Sequence, residues 1–482
     1  MDRALEKILS HFDAINAIPR CSKNEDRICR WLLDWADSHG FKTKRDVCGN
    51  ILVQVPPSAG YEAAPTAVIQ GHVDMVCEKT TASAHDFTKD PILSLQEGEW
   101  LSARETSLGA DNGIALAYAM TLAEDTALAH PPLELLFTVD EESGLTGVKH
   151  LGSEMISGRY LINLDSEEEG IFTIGCAGGV DTTLAMGLLA EQIPDGWQCH
   201  ELSVGGLKGG HSGIDIHKQR GNANKLLART LACIRQTSPI RLVQFAGGSR
   251  HNALARDAEA IIAGPPDDLA AVKQDIAMME KTIRQEFADD EPELFITLQP
   301  GSDQATSGMT LAETDRILWL LLALPHGVTR MSPVADELVE TSCNLAMVYV
   351  MDQDLKIISS QRSSRLSRLA ELTTSIHAIA DMAGATAVDE NDYPPWPPDT
   401  RAHLVKLAAL VYEQLFAAKS KLQVIHAGLE CAIIGDHYPE IQMISFGPTI
   451  ENAHSPQERL HIPSVEKVWR LLTALLASIK EI

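Results

Sequence analysis

Leu-Glu-Leu-Leu-Phe-Thr-Val-Asp-Glu-Glu-Ser-Gly, residues 133–144, is the stretch on which the fold turns. Its apolar part, Leu133 to Val139, has the length and make-up of a buried strand, and it runs directly into three acids and Gly144. Tyr160 to Leu164 repeats the arrangement, ending in Asp165-Ser166-Glu167-Glu168-Glu169-Gly170. Further out, Ala67 to Ile69 leads into Gly71-His72-Val73-Asp74. A helix is predicted after Asn112, through Ile114, Ala115, Leu116, Ala119 and Met120. Strand, polar loop and helix in alternation predict an α/β fold: a mixed sheet with helices on both faces. In such sheets ligand sites collect at strand ends.

The flanking sequence extends this pattern. Leu5, Ile8, Leu9, Phe12 and Ile15 have helical spacing, and Asn24 is the expected cap of a second helix through Ile28, Trp31, Leu32 and Trp35. After Gly178-Gly179 the texture changes to alternating strands (Val180 to Met186, Glu201 to Val204) and amphipathic helices (Asn224 to Gln236, Leu269 to Glu286), typical of an α+β insert. Pro394, Pro395, Pro397 and Pro398 exclude helix or central strand from 392–400 and mark a return connection. The reading is a catalytic domain in two parts, 1–179 and 393–482, interrupted by an inserted lid-like domain, 180–392.

Bulk properties narrow the function. A chain of 482 residues is too long for one core, so two domains are expected. A net charge of −26 argues against nucleic acid or an anionic membrane as partner. The nine cysteines contain no C-x-x-C pair and suit a reducing compartment better than a disulfide framework. Cys77 and Cys176 sit near the acidic motifs without an activating base and read as packed bystanders. The first residues look like the start of an amphipathic helix, not a signal peptide, and Ile317 to Leu324 is too short to span a bilayer. A soluble, cytoplasmic protein is expected.

Carboxylates gathered in one place repel each other and are costly to desolvate unless cations neutralise them. His72 and Asp74, two apart on an extended segment, point to one side, so one can ligate a metal while the other orients its ring. Glu141 and Glu142 are adjacent and diverge, so one can ligate while its neighbour serves as general base. Asp111 alone would read as a turn or cap residue, and His454, in Ala-His-Ser-Pro (453–456), as a surface loop histidine. Glu167, Glu168 and Glu169 read as the solvated overhang of their turn. Together, imidazoles and carboxylates around two divalent ions, with one carboxylate unligated, describe a hydrolase that activates water.

The motifs Gly-His-Val-Asp-Met-Val, Leu-Gly-Ala-Asp-Asn-Gly, Glu-Glu-Ser-Gly, Asp-Ser-Glu-Glu-Glu-Gly and Ala-His-Ser-Pro resemble the M20 family of co-catalytic metallopeptidases, which includes aminoacylases and dipeptidases. Four longer stretches resemble its aminoacyl-histidine (Xaa-His, cytosol non-specific) dipeptidases: His85 to Pro91, Gly206 to Gly213, Gly221 to Leu227 and His426 to Cys431. The resemblance implies one ion held by His72, Asp111 and Asp165. It implies a second held by Asp111, Glu142 and His454, with Glu141 as general base and Asp74 as partner of His72. It implies a cis peptide from Asp111 to Asn112, and an aspartate at 165 favours a dipeptidase over a deacylase. It further implies that His211 reaches the oxyanion, Arg362 pairs with the substrate's terminal carboxylate, Asn252 shapes that pocket and Glu430 receives the substrate's amino group. Zn is the expected metal, with Mn or Co as alternatives, and a homodimer is implied. Glu105 departs from the family, standing where relatives usually have Gly.

The expected activity is hydrolysis of unblocked dipeptides, Xaa-His and β-alanyl-histidine among them. Two rivals remain at this stage: an N-acyl-amino-acid deacylase or other amidase of the same fold, and a catalytically silent metal-binding assembly protein. N-acetyl amino acids against free dipeptides separate the first, and metal analysis with a dipeptide assay the second.

Overall fold

Ala67–His72, Leu133–Thr138 and Tyr160–Asn163 are buried along their whole length, as strands covered on both faces must be. They pair in parallel, and Gln442–Ser445 joins Tyr160–Asn163 in parallel as well. Antiparallel strands flank this centre. The full order is Lys42–Arg45, Ile51–Val55, Leu133–Thr138, Ala67–His72, Tyr160–Asn163, Gln442–Ser445, Ile171–Cys176 and Lys421–Ile425. The structure is a computed structural model that describes residues 3–301, 305–332, 338–351 and 353–480.

The chain divides into two compact units. The first comprises Met1–Cys176, Trp396–Val424 and Leu429–Ile482 and contains the sheet just given. Its core joins the apolar faces of Arg3–Asn16, Asp26–Ser38, Ala110–Glu124, His403–Phe416 and Ile462–Ser478 to the strands. Leu5, Ile8, Phe12 and Ile15 are buried as their spacing predicts, while Met1 and Asp2 lie outside the described residues. Asn24 is not the cap of the second helix. Its N–H bonds the Cys21 carbonyl in a preceding turn, and Glu25 occupies the cap position.

The second unit, Ala177–Pro395 with Ile425–Gly428, has its own core. Its large sheet is antiparallel, in the order Phe295–Pro300, Gln198–Gly205, Ala258–Gly264, Arg241–Gly247, Val339–Met351, Asp354–Ser363, Gly178–Gly187 and Thr386–Tyr393. The helices Ala223–Thr237, Leu269–Glu286, Leu311–Ala323 and Leu366–Ala383 supply apolar residues to that core. Among the described residues no helix is long and apolar enough to cross a membrane.

The expectation of thiols without disulfides is overturned at one place: Cys21 and Cys77 form a disulfide, Cα atoms 5.7 Å apart. A bridge between Cys21 and Met75 lays the two segments side by side, which brings together cysteines 56 residues apart. Cys77 is therefore a cross-link, not a bystander.

Candidate active site

The parallel centre of the first sheet explains why residues so distant in sequence meet. Parallel strands discharge their following loops at one edge, so His72, the Glu141–Glu142 pair and Asp165 leave the sheet on the same side. The loop carrying His454 follows the fourth parallel strand, Gln442–Ser445. Asp111 comes from the start of Ala110–Glu124, where it and Asn112 have non-helical backbone angles and are joined by a cis peptide. Asn112 seats this corner: its Oδ1 accepts the His72 N–H at 3.2 Å, and its Nδ2 donates to the Leu164 carbonyl at 2.8 Å. Gly71 has to be glycine for that approach, since a Cβ there would lie 2.6 Å from Ala115 Cβ.

The result is two triads sharing one residue. His72 Nε2 lies 3.0 Å from Asp111 Oδ1 and 3.3 Å from Asp165 Oδ1. His454 Nε2 lies 2.9 Å from Asp111 Oδ2 and 3.0 Å from Glu142 Oε1. Within each triad the ligand atoms fall within 4.8 Å of one another. Asp165 Oδ1 and Glu142 Oε1 are buried beside an imidazole nitrogen, at 3.3 and 3.0 Å, without a well-aligned hydrogen bond among the described residues. Buried acceptors short of a donor, facing nitrogen and oxygen donors in sets of three, suit a pair of divalent cations.

Asp74 braces the arrangement. Its carboxylate is 3.3 Å from His72 Nδ1 and accepts Ser22 Oγ–H at 2.7 Å and the N–H groups of Glu141 and Glu142 at 3.1 and 3.2 Å. One buried carboxylate thus orients a ring and fixes the backbone of two acidic residues. The Glu141 carboxylate belongs to neither of these two triads, although one of its oxygens also comes within 4.8 Å of ligand atoms of His72 and Glu142.

Electrostatics say what the cluster lacks. Burial pushes Asp165 up to about 6, and burial with the Asp111 charge raises Glu142. Glu141 is pushed well above the carboxylate range, by burial first and then by Glu142, Asp165 and Glu430 against the opposing His72. Burial alone would lower His454, but Asp111 and Glu142 lift it to about 11. His72 is likewise raised, Asp165 and Asp111 outweighing its burial. Carboxylates drawn toward protons and imidazoles drawn toward charge mark a site short of positive charge.

Two sequence readings change here. Glu167 is not a solvated overhang: burial and the charges of Asp111 and Asp165 push it up to about 8. Glu169 also has partners, accepting from Tyr412 Oη–H at 2.9 Å and pairing with Lys467, which leaves Glu168 as the exposed member. Glu430 is 0% exposed and accepts from Gln70 Nε2–H and Thr138 Oγ1–H. Burial pushes it up to about 8. Glu105 has a φ of +61°, which explains why glycine is favoured at this position.

The remaining predicted residues belong to the second unit. His211 Nδ1 accepts the N–H groups of Gly213 and Ile214, both at 3.1 Å, which fixes the ring and makes Nε2 the protonated nitrogen. A bridge between His211 and Ala253 sets half-buried Asn252 alongside it. Arg362 is only 8% exposed, donates to Tyr393 Oη at 2.6 Å and leaves its Nε without a hydrogen-bond partner among the described residues. The nearby strand acid Glu340 is taken by Arg330 and Arg365. His426, hydrogen-bonded to Ser342 Oγ at 2.7 Å, is driven down to about 3 by burial and by Arg362, with His211 adding to the effect. Gly179 and Gly428 admit the Tyr393 ring, since Cβ atoms there would lie 2.6 and 2.9 Å from it. Sequence reasoning quoted the motif containing His426 but gave that residue no role, and it missed Tyr393.

Comparison with known proteins agrees with this geometry. The pattern of peptidase family M20/M25/M40 matches residues 68–478. The cytosol non-specific dipeptidase of Escherichia coli (strain K12) is 40% identical over 468 residues, covering 97% of this chain and 96% of that protein. The crystal structure of aminoacylhistidine dipeptidase from Vibrio alginolyticus is 36% identical with a TM-score of 0.87, covering 99% of this chain and 97% of that one. The aminopeptidase PepT from Bacillus cereus ATCC 10987, 16% identical with a TM-score of 0.56 and 98% of each chain covered, shares the fold.

Proposed function

The chain belongs to peptidase family M20/M25/M40, and from that premise we propose that it is a metal-dependent dipeptidase with two divalent ions, hydrolysing unblocked dipeptides. The observation that carries the reading is the doubly shared Asp111, each of whose oxygens faces a different histidine while Glu141 stays outside both triads. His72, Asp111 and Asp165 would hold one ion, and Asp111, Glu142 and His454 the other. Their mixed nitrogen and oxygen donors suit Zn, with Mn or Co as alternatives. When bound, the ions supply Lewis acidity and lower the pKa of water.

The chain's own residues do the rest. Glu141 takes the proton of the attacking water and delivers it to the leaving amine. Asp74 keeps the His72 ring and the Glu141 backbone in register. His211, with Nε2 protonated, is suited to donate to an oxyanion. Arg362 is assigned to the substrate's terminal carboxylate, for which a planar guanidinium is well shaped, and Asn252 to the wall of that pocket. The relatives named as cytosol non-specific and aminoacylhistidine dipeptidases support this substrate class, and Xaa-His and β-alanyl-histidine are among the dipeptides proposed. A cytoplasmic location and a homodimer complete the proposal.

The test is a dipeptide panel run after chelation and after re-addition of Zn, Mn or Co singly, with N-acetyl amino acids alongside. Metal-restored cleavage of free dipeptides is expected. Turnover confined to N-acetyl amino acids would make the protein a deacylase, and tight ion binding with no turnover a silent metal-binding protein.

A further inference from the structure

The loop that leads into Asp111 presents its N–H groups to a single buried carboxylate. Glu458, 2% exposed, accepts from Leu108 N–H at 2.7 Å, Gly109 at 2.9 Å, Ala110 at 2.8 Å and Asp111 at 3.3 Å. The opposite side of the loop meets a buried cation. Arg20 donates to the Gly109 carbonyl at 2.5 Å, and the same guanidinium donates to the carbonyls of Val73 and Asp74 and to Asn16 Oδ1. Gly109 makes the close approach feasible: its φ is +72°, and a Cβ there would lie 2.5 Å from Arg20 Nη2.

The two charges reach different parts of the site. Arg20 ties the loop to the strand end that carries His72. Glu458 ties it to the loop that carries His454, for the Glu458 N–H bonds the Ser455 carbonyl at 3.0 Å, one residue beyond His454. His454 and Asp111 are 343 residues apart in sequence, and Glu458 is a direct polar link between the backbones that present them. Turn chemistry alone does not account for a fully buried anion there. A carboxylate accepting four N–H groups spans consecutive residues of one ligand loop while its own backbone is fixed in the other.

We infer that Glu458 is a positioning residue that couples the shared ligand Asp111 to His454, so that the ion held by Asp111, Glu142 and His454 depends on it far more than the ion held by His72, Asp111 and Asp165. This rests on the proposed ligand sets and adds an inequality between them. Substitution by Gln removes the charge and turns one acceptor into a donor that faces N–H groups, so Gln is not a conservative change here.

The experiment uses the full-length, chelator-stripped protein titrated with Zn in competition with a chromophoric chelator. In Glu458→Gln the stoichiometric step that His454→Ala abolishes should lose about tenfold to a hundredfold in affinity, the other step less than about threefold. In a His454→Ala background, Glu458→Gln should change affinity less than about threefold, because its target ion is already lost. Wild-type affinity for both ions, or equal loss at both with an additive effect in the His454→Ala background, would overturn the inference and leave Glu458 as a structural cap. Should Glu458→Gln fail to fold, Glu458→Asp, which keeps the charge on a shorter stem, must show the same inequality in milder form, and parity between its sites would overturn the inference equally. Asp111→Asn separates the underlying reading: retention of both ions in that variant refutes the ligand sets themselves.

Discussion

The first unit buries too many carboxylates and the second a guanidinium short of anions. Around His72 and His454, burial and mutual repulsion raise Glu141, Glu142 and Asp165. Around Arg362, a neighbouring imidazole is forced to about 3, and the buried acid on the adjoining strand is committed to other arginines. Neither imbalance would persist in a purely structural core, because unpaired buried charge is costly. The contrast is in keeping with the two kinds of guest proposed, cations for the first unit and a carboxylate for the second. It also follows the topologies. A parallel centre gathers residues from remote segments at one edge, whereas an antiparallel sheet sets Arg362 beside Ser342 through direct strand pairing.

The comparison can be broken most sharply at Glu141. Glu141→Ala should lower kcat by about 10²- to 10⁴-fold while metal content stays at the wild-type value. Near-normal turnover would mean that this carboxylate is not the base, and loss of metal that it is a ligand. Next in size is the anion half. Arg362→Ala should raise KM for a dipeptide about tenfold to a hundredfold with kcat little changed, and an unaltered KM would remove the carboxylate from the second unit.

A smaller effect concerns stability. His326 Nδ1 accepts from Asn222 Nδ2–H and from Leu345 N–H, and burial beside Lys225 holds the imidazole down at about 4. An unfolded imidazole titrates near 6.5, so as pH falls the unfolded chain takes up the proton first. This contribution is complete above about 6.5 and is lost progressively toward 4, on the order of 3 kcal/mol in all. Denaturant unfolding of wild type and His326→Gln at pH 7 and pH 4.5 should show a flatter response in the variant. Parallel pH responses would mean that His326 is not held neutral. Least of all, Glu105→Gly should relieve the left-handed backbone at an exposed position and change stability by at most about 1 kcal/mol, checked by thermal unfolding.

Much of the site could be read from apolar runs that stop at acids, because a strand's end is set by local pattern. His72, Glu141, Glu142 and Asp165 declare themselves in that way, and Asp111 and His454 through motif company. What could not be read depends on pairings between distant segments. Cys21 and Cys77 have no spacing signature, and the bridge at Met75 that aligns them is a tertiary event. Glu430 looks exposed beside a glycine-containing loop, yet helix Glu430–His437 tucks it under Gln70 and Thr138. Glu167 reads like its neighbours because adjacent acids cannot be sorted into inward and outward members without the turn. Glu458 carried a faint signal: an acid four residues beyond the motif histidine, whose N–H donors lie some 350 positions upstream.

Strand Gln442–Ser445 has a further consequence. It lies between Tyr160–Asn163 and Ile171–Cys176, two strands that are close in sequence yet separated by the gap it fills. While a ribosome is still translating, the emerging polypeptide holds a sheet with a missing slat and lacks His454. Under the proposed ligand sets, loading of the ion that His454 helps to hold would belong to the period after synthesis has passed that residue, and premature termination upstream of residue 442 would yield a product unable to complete its centre.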